Sequence, residues 1–197
     1  MIVEGLLTST NAAGQVNVAP MGPIVQGDFE SLLLRPFRGS TTFSNLLETK
    51  TAVFHVVDRV DVIARAAVSR LEELPATVAA TVVSGVVLAD CCRWFEVEIT
   101  DIDITNERSE MQARVVYTGQ RRPFFGLNRA RHAVIEAGIL ATRVHLLPRE
   151  EIESALRFLT PAVAKTGGPV ETDAFRMLQQ HIEHHYAVDP TLFRPSA

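Results

Sequence analysis

Residues 1–9 are apolar with β-prone side chains, Asn11-Ala12-Ala13-Gly14-Gln15 supplies turn chemistry, and Val16 to Val18 resume an extended pattern before Pro20. This opening predicts a β-hairpin. The apolar run from Phe29 to Leu34 leads into Arg35-Pro36, and proline holds its predecessor extended, so a third strand continues to the proline. Ser40-Thr41-Thr42 precede Phe43, Leu46 and Leu47, the order of a hydroxyl cap and a short helix over 40–48, and Thr51 to Val57 then reads as a buried strand. Val62, Ile63, Ala66, Ala67 and Leu71, set among Arg65, Ser69, Arg70 and Glu72, predict a helix over 61–74. Phe95, Val97 and Ile99 alternate with Glu96, Glu98 and Thr100. After a polar turn at 105–110, Met111, Ala113, Val115 and Tyr117 alternate with Gln112, Arg114 and Thr118, which predicts a second, long hairpin. Beyond Arg121-Arg122-Pro123 the spacing turns helical over 128–141, 149–165 and 169–186, with Gly167-Gly168 as a stop and Pro169 at a first helical position. Strands first and helices later, without regular alternation, predict an α+β fold whose strands suit a barrel.

Composition narrows the function classes. The chain has 197 residues, 23 Asp plus Glu against 19 Lys plus Arg, a net charge of −4 and 47% hydrophobic residues, enough to bury a sizeable core. A mildly acidic balance with no Lys/Arg block argues against nucleic acid as a partner. The weakly polar stretch 76–89 is shorter than the roughly 20 apolar residues of a membrane span and is interrupted by Thr77, Thr81, Ser84 and Gly85, so no membrane partner is expected. Met1-Ile2-Val3-Glu4-Gly5 has neither a basic region nor an apolar segment, and the two cysteines are neighbours, Cys91 and Cys92, unsuited to stapling distant segments. The expected location is cytoplasmic.

The most informative local sequence is Arg35-Pro36-Phe37-Arg38-Gly39-Ser40-Thr41-Thr42, which sets two guanidinium groups and three hydroxyls at a helix start. Unpaired N–H groups and the positive end of the helix dipole favour an anion there, and Arg can hold a phosphate bidentately. The same residues also fit an ordinary Ser cap with solvated arginines, and the pattern leaves both readings open. A second cluster, Arg121 to Arg129, leads into a helix with Ala130, Ala133, Val134, Ala137 and Leu140 on its buried face. Its polar face, with Arg129, Arg131, His132 and Glu136, reads first as surface, and Phe124-Phe125 read as core. His181 and His185 share a helix face, but no further ligand set accompanies them, so no metal is expected. Cys91 and Cys92 beside Trp94 read as buried packing. No GxGxxG, GxxxxGK[ST] or GxSxG occurs, so the Rossmann, P-loop and α/β-hydrolase readings lack their main residues, and no catalytic residue is assigned.

Three segments taken together carry a resemblance: Asn11-Ala12-Ala13-Gly14 through Val18-Ala19-Pro20-Met21-Gly22-Pro23; Arg35-Pro36-Phe37 with Ser40-Thr41-Thr42 and Asn45-Leu46; and Asn128-Arg129-Ala130 with Ala133-Val134-Ile135-Glu136-Ala137. They resemble the FMN-binding split β-barrel, flavin reductase-like superfamily. Nearly the whole chain is similar to a branch catalogued as domain of unknown function 447. The resemblance implies a split-barrel domain over 1–125, a helical C-terminal region over 126–197 packed on it, and a homodimer with one FMN per protomer. It implies that Ser40, Thr41 and Thr42 bind the FMN phosphate and that Arg35 and Arg38 neutralise it. Pro36 and Phe37 lie within the same motif, and by the same resemblance backbone around Pro20, Met21 and Gly22 is expected to face the flavin ring. It further implies that Asn45 either contacts the phosphate or caps the turn, and that Asn128, Arg129 and His132 close the flavin or substrate pocket. An FMN-dependent oxidoreductase taking hydride from NADH or NADPH and serving a small-molecule acceptor follows by analogy. The alternatives are a non-enzymatic FMN-binding or carrier protein linked to one-carbon pterin metabolism, and a barrel without flavin acting as an interaction module.

Overall fold

The structure, a computed structural model, describes residues 1–106 and 108–188; Glu107, within the expected turn at 105–110, lies outside the described residues. The chain divides into two compact units, Met1–Asp58 with Glu73–Phe124, and Arg59–Glu72 with the chain from Phe125 onward.

The first unit is built on an antiparallel seven-stranded sheet. In chain order its elements are β1 (Gly5–Thr10), β2 (Val16–Met21), β3 (Ile24–Gln26), β4 (Ser31–Leu34), α1 (Thr41–Thr49), β5 (Thr51–Val56), β6 (Thr77–Ala79), β7 (Val86–Leu88), β8 (Arg93–Asp103) and β9 (Glu110–Gln120). The sheet order is β2-β1-β5-β8-β9-β4-β3, and β6 and β7 form a separate two-stranded ribbon. The expected hairpins β1–β2 and β8–β9 are both present, the second with register shifts at Glu96/Val97 and Ile99/Asp101. Such irregularities increase local twist and curl a sheet. The sheet bends until its β3 edge meets the residues leading into β1: Ile2 bridges Ile24, Val3 N–H donates to Pro23 O at 3.2 Å and Val25 N–H to Met1 O at 2.8 Å. Edge β3 is thereby paired, and β2 is the other terminal strand of the sheet, paired with β1 along its whole length. Short β3 escaped the sequence pattern because its three residues are too few to show alternation.

The inner face carries the apolar core: Leu7, Leu32, Leu34, Ala52, Phe54, Phe95, Val97, Met111 and Ala113, joined by Phe43 and Leu46 of α1. The opposite face of β1, β5 and β8, which carries Glu96 among the polar positions of the alternation, is not a solvent face. The β6–β7 ribbon is held there by polar side chains. Glu96, fully buried, accepts hydrogen bonds from the N–H groups of Thr81 (2.7 Å), Val82 (2.6 Å) and Val83 (3.0 Å) and from Trp94 Nε1 (3.2 Å). Burial pushes its carboxyl up, but the three backbone donors and the indole outweigh that and hold it below the usual carboxylate range. Thr8 donates to Val86 O at 2.6 Å, and Thr10 to Ser84 O at 3.3 Å. His55, also fully buried, sits between Leu6 O (3.2 Å from Nδ1) and Leu88 N–H (3.1 Å from Nε2). A carbonyl only accepts, so Nδ1 carries the proton and Nε2 accepts. Trp94 lies across Gly119, where an added Cβ would stand 2.1 Å from Cζ2 of the indole.

The second unit is helical: α2 (Val60–Ala67), α3 (Arg129–Ala141), α4 (Arg149–Thr166) and α5 (Pro169–Val188). Val60 and Ala64 of α2 share one apolar cluster with Ala130, Ala133, Val134 and Ala137 of α3, Ile152, Leu156 and Val163 of α4, and Phe175, Leu178 and Ile182 of α5. The small residues of α3 let neighbouring helices approach closely. Helix α5 starts at Pro169, as expected, and Glu171 reaches back to accept from Gly168 N–H at 2.9 Å, half of a capping box. Expected helix 61–74 stops at Ala67, and Ser69 takes a positive φ of 56°.

Candidate functional site

Helix α1 opens as its sequence predicts. Ser40, in extended geometry, caps it: Oγ accepts from Phe43 N–H at 3.1 Å and donates to Phe37 O at 2.7 Å, so this hydroxyl is committed on both sides. The N–H groups of Thr41 and Thr42 are first-turn donors with no intrahelical acceptor. Thr42 is 3% exposed and its Oγ1 accepts from Asn17 Nδ2 at 3.0 Å; Thr41 and Arg38 are exposed. Arg35 is half-buried, and its Nε is buried with no hydrogen-bond partner among the described residues. A buried guanidinium donor without an acceptor is costly, and Arg does not lose its charge to relieve it. These groups share one sign and one preference, an anion rich in acceptor oxygens.

The backbone carrying Arg35 is braced from the β8–β9 turn. Ser109, fully buried, donates Oγ–H to Pro36 O at 2.7 Å, and Arg108 bridges Phe37 in the backbone while its guanidinium lies 4.4 Å from the centre of the exposed Phe37 ring. Pro20 and Met21 end β2 opposite Leu6 and Gly5, with Met21 packed on the barrel core. At Gly22 a Cβ would stand 2.9 Å from both Glu4 Oε1 and Ile2 Cγ2, so a side chain in the turn into β3 would require those two side chains to move. Asn45 lies inside α1 rather than at a turn, is 4% exposed, and donates Nδ2–H to Ser9 Oγ at 3.1 Å, anchoring the helix to β1.

Asn128, Arg129 and His132 belong to the helical unit. Asn128 caps α3 by accepting from Arg131 N–H at 3.1 Å and donates to Thr166 O at 3.0 Å, while Arg129 and His132 are exposed. Arg131 is not a plain surface residue: it pairs with the largely buried Glu171 at 3.0 Å and lies 4.5 Å from the centre of the Phe125 ring. Phe124 and Phe125, expected in the core, are 47% and 75% exposed, because the segment 121–128 is a connection with no sheet or helix face to bury them. Arg122 of the same run is neutralised by Asp58 and Asp90. Cys91 and Cys92 are buried, as expected, and burial pushes the Cys91 thiol up to about 11. No group of three or more His, Cys, Asp or Glu that could hold a metal occurs among the described residues, and no described helix is long and apolar enough to cross a membrane.

Two participants were not singled out in the sequence, Asn17 and Ser109. Asn17 carried a usable signal: an Asn between Val16 and Val18 is disfavoured inside a strand unless its amide is employed. Ser109 carried none, since a serine beside a polar turn is ordinary.

The N-terminal domain of the family described as protein of unknown function (DUF447) matches residues 3–122, and a further segment described as protein of unknown function (DUF447) matches residues 128–180. Among solved structures, an FMN-bound DUF447 protein from Methanosarcina mazei is 24% identical with a TM-score of 0.76, covering 91% of this chain and 94% of that one. The 2-nitrobenzoate 2-nitroreductase of Pseudomonas fluorescens is 18% identical with a TM-score of 0.52, covering 60% of this chain and 64% of its own. The styrene monooxygenase flavin reductase of Pseudomonas putida S12 is 15% identical with a TM-score of 0.51, covering 61% of this chain and 80% of its own. These likenesses show the fold, a flavin reductase-like split β-barrel with C-terminal helices. No curated protein matches the chain.

Proposed function

We propose that this chain, which belongs to the DUF447 family, binds FMN by its phosphate at the start of α1. The observation that carries the reading is the buried Arg35 Nε without an acceptor, in a segment that leads into free first-turn N–H groups at Thr41 and Thr42. Arg35 supplies charge, the Thr42 hydroxyl and the two N–H groups supply directed hydrogen bonds, and Arg38 adds an exposed second cation. Ser40 shapes the turn, Pro36 and Phe37 hold Arg35 in place through Ser109 and Arg108, and backbone at Pro20, Met21 and Gly22 faces the ring. When bound, the flavin supplies the electron-transfer chemistry, and the protein binds and orients it.

The chain serves as an oxidoreductase of the flavin reductase-like type, working as a homodimer with NADH or NADPH as donor and a small molecule as acceptor. The flavin reductase and nitroreductase among its structural relatives support this reading. Purified protein is expected to show flavin absorbance, to release about one FMN per chain on heating, and to bleach when NADH or NADPH is added without oxygen. Arg35→Ala is expected to weaken FMN binding on the order of tenfold or more, the loss of a charge-assisted bond. A colourless protein that takes up no added FMN would overturn the proposal. A flavin that no nicotinamide donor bleaches leaves binding intact and selects the carrier reading.

A further inference from the structure

Asn17 stands inside β2 opposite Ser9 of β1, and its amide Nδ2 donates to Thr42 Oγ1 at 3.0 Å. A hydroxyl has one proton and two lone pairs. With a lone pair of Thr42 taken by the amide, and none of the described residues accepting its proton, the hydroxyl is set to donate, in a residue only 3% exposed whose own N–H is a first-turn donor. Asn45, through its bond to Ser9 Oγ, fixes α1 on β1, and β1 is the strand that holds β2 in register, so the distance between Asn17 and Thr42 is fixed by the sheet.

We propose that Asn17 is a positioning residue for phosphate recognition: by occupying an acceptor site of Thr42 Oγ1 it directs the threonine proton toward the phosphate oxygens, without touching the anion itself. The inference rests on the proposed FMN site. It makes the selectivity of that site for FMN over riboflavin depend on a residue of a different element from the phosphate ligands.

The test compares affinities for FMN and for riboflavin, which lacks the phosphate, by flavin fluorescence on the full chain. Asn17→Asp presents only acceptors, turns the Thr42 proton toward itself and adds a negative charge. FMN affinity is expected to fall by about tenfold or more, the scale of a lost hydrogen bond to a charged group, while riboflavin affinity stays within about twofold. Asn17→Ala is expected to give a smaller loss confined to FMN, and the double variant Asn17→Ala with Thr42→Val is expected to bind FMN no worse than Thr42→Val alone, because one residue acts through the other. Thermal unfolding of the apo forms reads any structural effect separately. An unchanged FMN-to-riboflavin ratio in Asn17→Asp, or equal losses for both flavins with a lowered unfolding temperature, overturns the role of Asn17 and leaves FMN binding standing. Wild-type protein that binds FMN no better than riboflavin removes the phosphate site, and this inference falls with it.

Discussion

His55 occupies a site built for the neutral imidazole, with a carbonyl facing Nδ1 and a backbone N–H facing Nε2. Protonation has nowhere to put a second N–H. Burial pulls its pKa down from 6.5 to about 4, against a smaller opposite pull from the bond to Leu6. The unfolded chain therefore binds a proton that the folded chain refuses between these values, and stability is full above pH 6.5 and falls as the pH drops toward 4. At pH 5 the loss amounts to about 2 kcal/mol. Urea unfolding at pH 7.5 and 5 checks this against His55→Gln, which does not titrate. A pH dependence identical in the two proteins would show that His55 is not responsible. From sequence His55 was only one residue of a buried strand, because nothing local shows that a ribbon some thirty residues on will lie over it.

At the scale of elements, the β6–β7 ribbon is attached by side chains that an alternating pattern assigns to solvent. Alternation identifies two faces of a strand; it does not identify what covers the second. The helices other than α2 were legible nearly to the residue, since Ser40, Asn128 and Pro169 mark three of their starts by local chemistry, whereas α2 ends seven residues before its expected bound. The α1 half of the candidate site was legible for the same reason. Asn17 on β2 was passed over despite its signal, since its partner is identified only once the sheet brings it against Thr42. Glu96 accepts three backbone hydrogen bonds from the loop joining the two ribbon strands, and Glu96→Gln replaces one of two acceptor oxygens by an NH₂ group facing backbone donors. The expected destabilisation is about 3 kcal/mol by denaturant titration, with faster proteolysis in the loop around Val82, which is 56% exposed. Equal stability of the variant would mean that the ribbon is held by its apolar contacts instead.

For the whole molecule, the chain passes between its two units at 58/59, 72/73 and 124/125. Within the barrel unit, Arg122 binds both carboxylate oxygens of Asp58, so the ends of two of these passages are tied together. A cut at residue 125 therefore does not release two complete parts. A fragment 1–124 keeps α2 without the α3 and α5 residues that share its apolar cluster, and a fragment from 125 onward lacks Val60 and Ala64. Each is expected to bind a hydrophobic dye and to lose the cooperative unfolding of the full chain, and mixing them is expected to restore helicity by circular dichroism. A cooperative, dye-free fragment from 125 onward would show that α2 is dispensable.

The early position of α2 also sets an order of events during synthesis. About 60 residues separate its last residue, Ala67, from Arg129, where the first helix that buries it begins. At roughly 5–20 residues per second the ribosome needs about 3 to 12 seconds to cover that interval. Through that time α2 waits without the α3 residues of its apolar cluster while β6 to β9 are being made, a window in which a chaperone has a defined segment to hold.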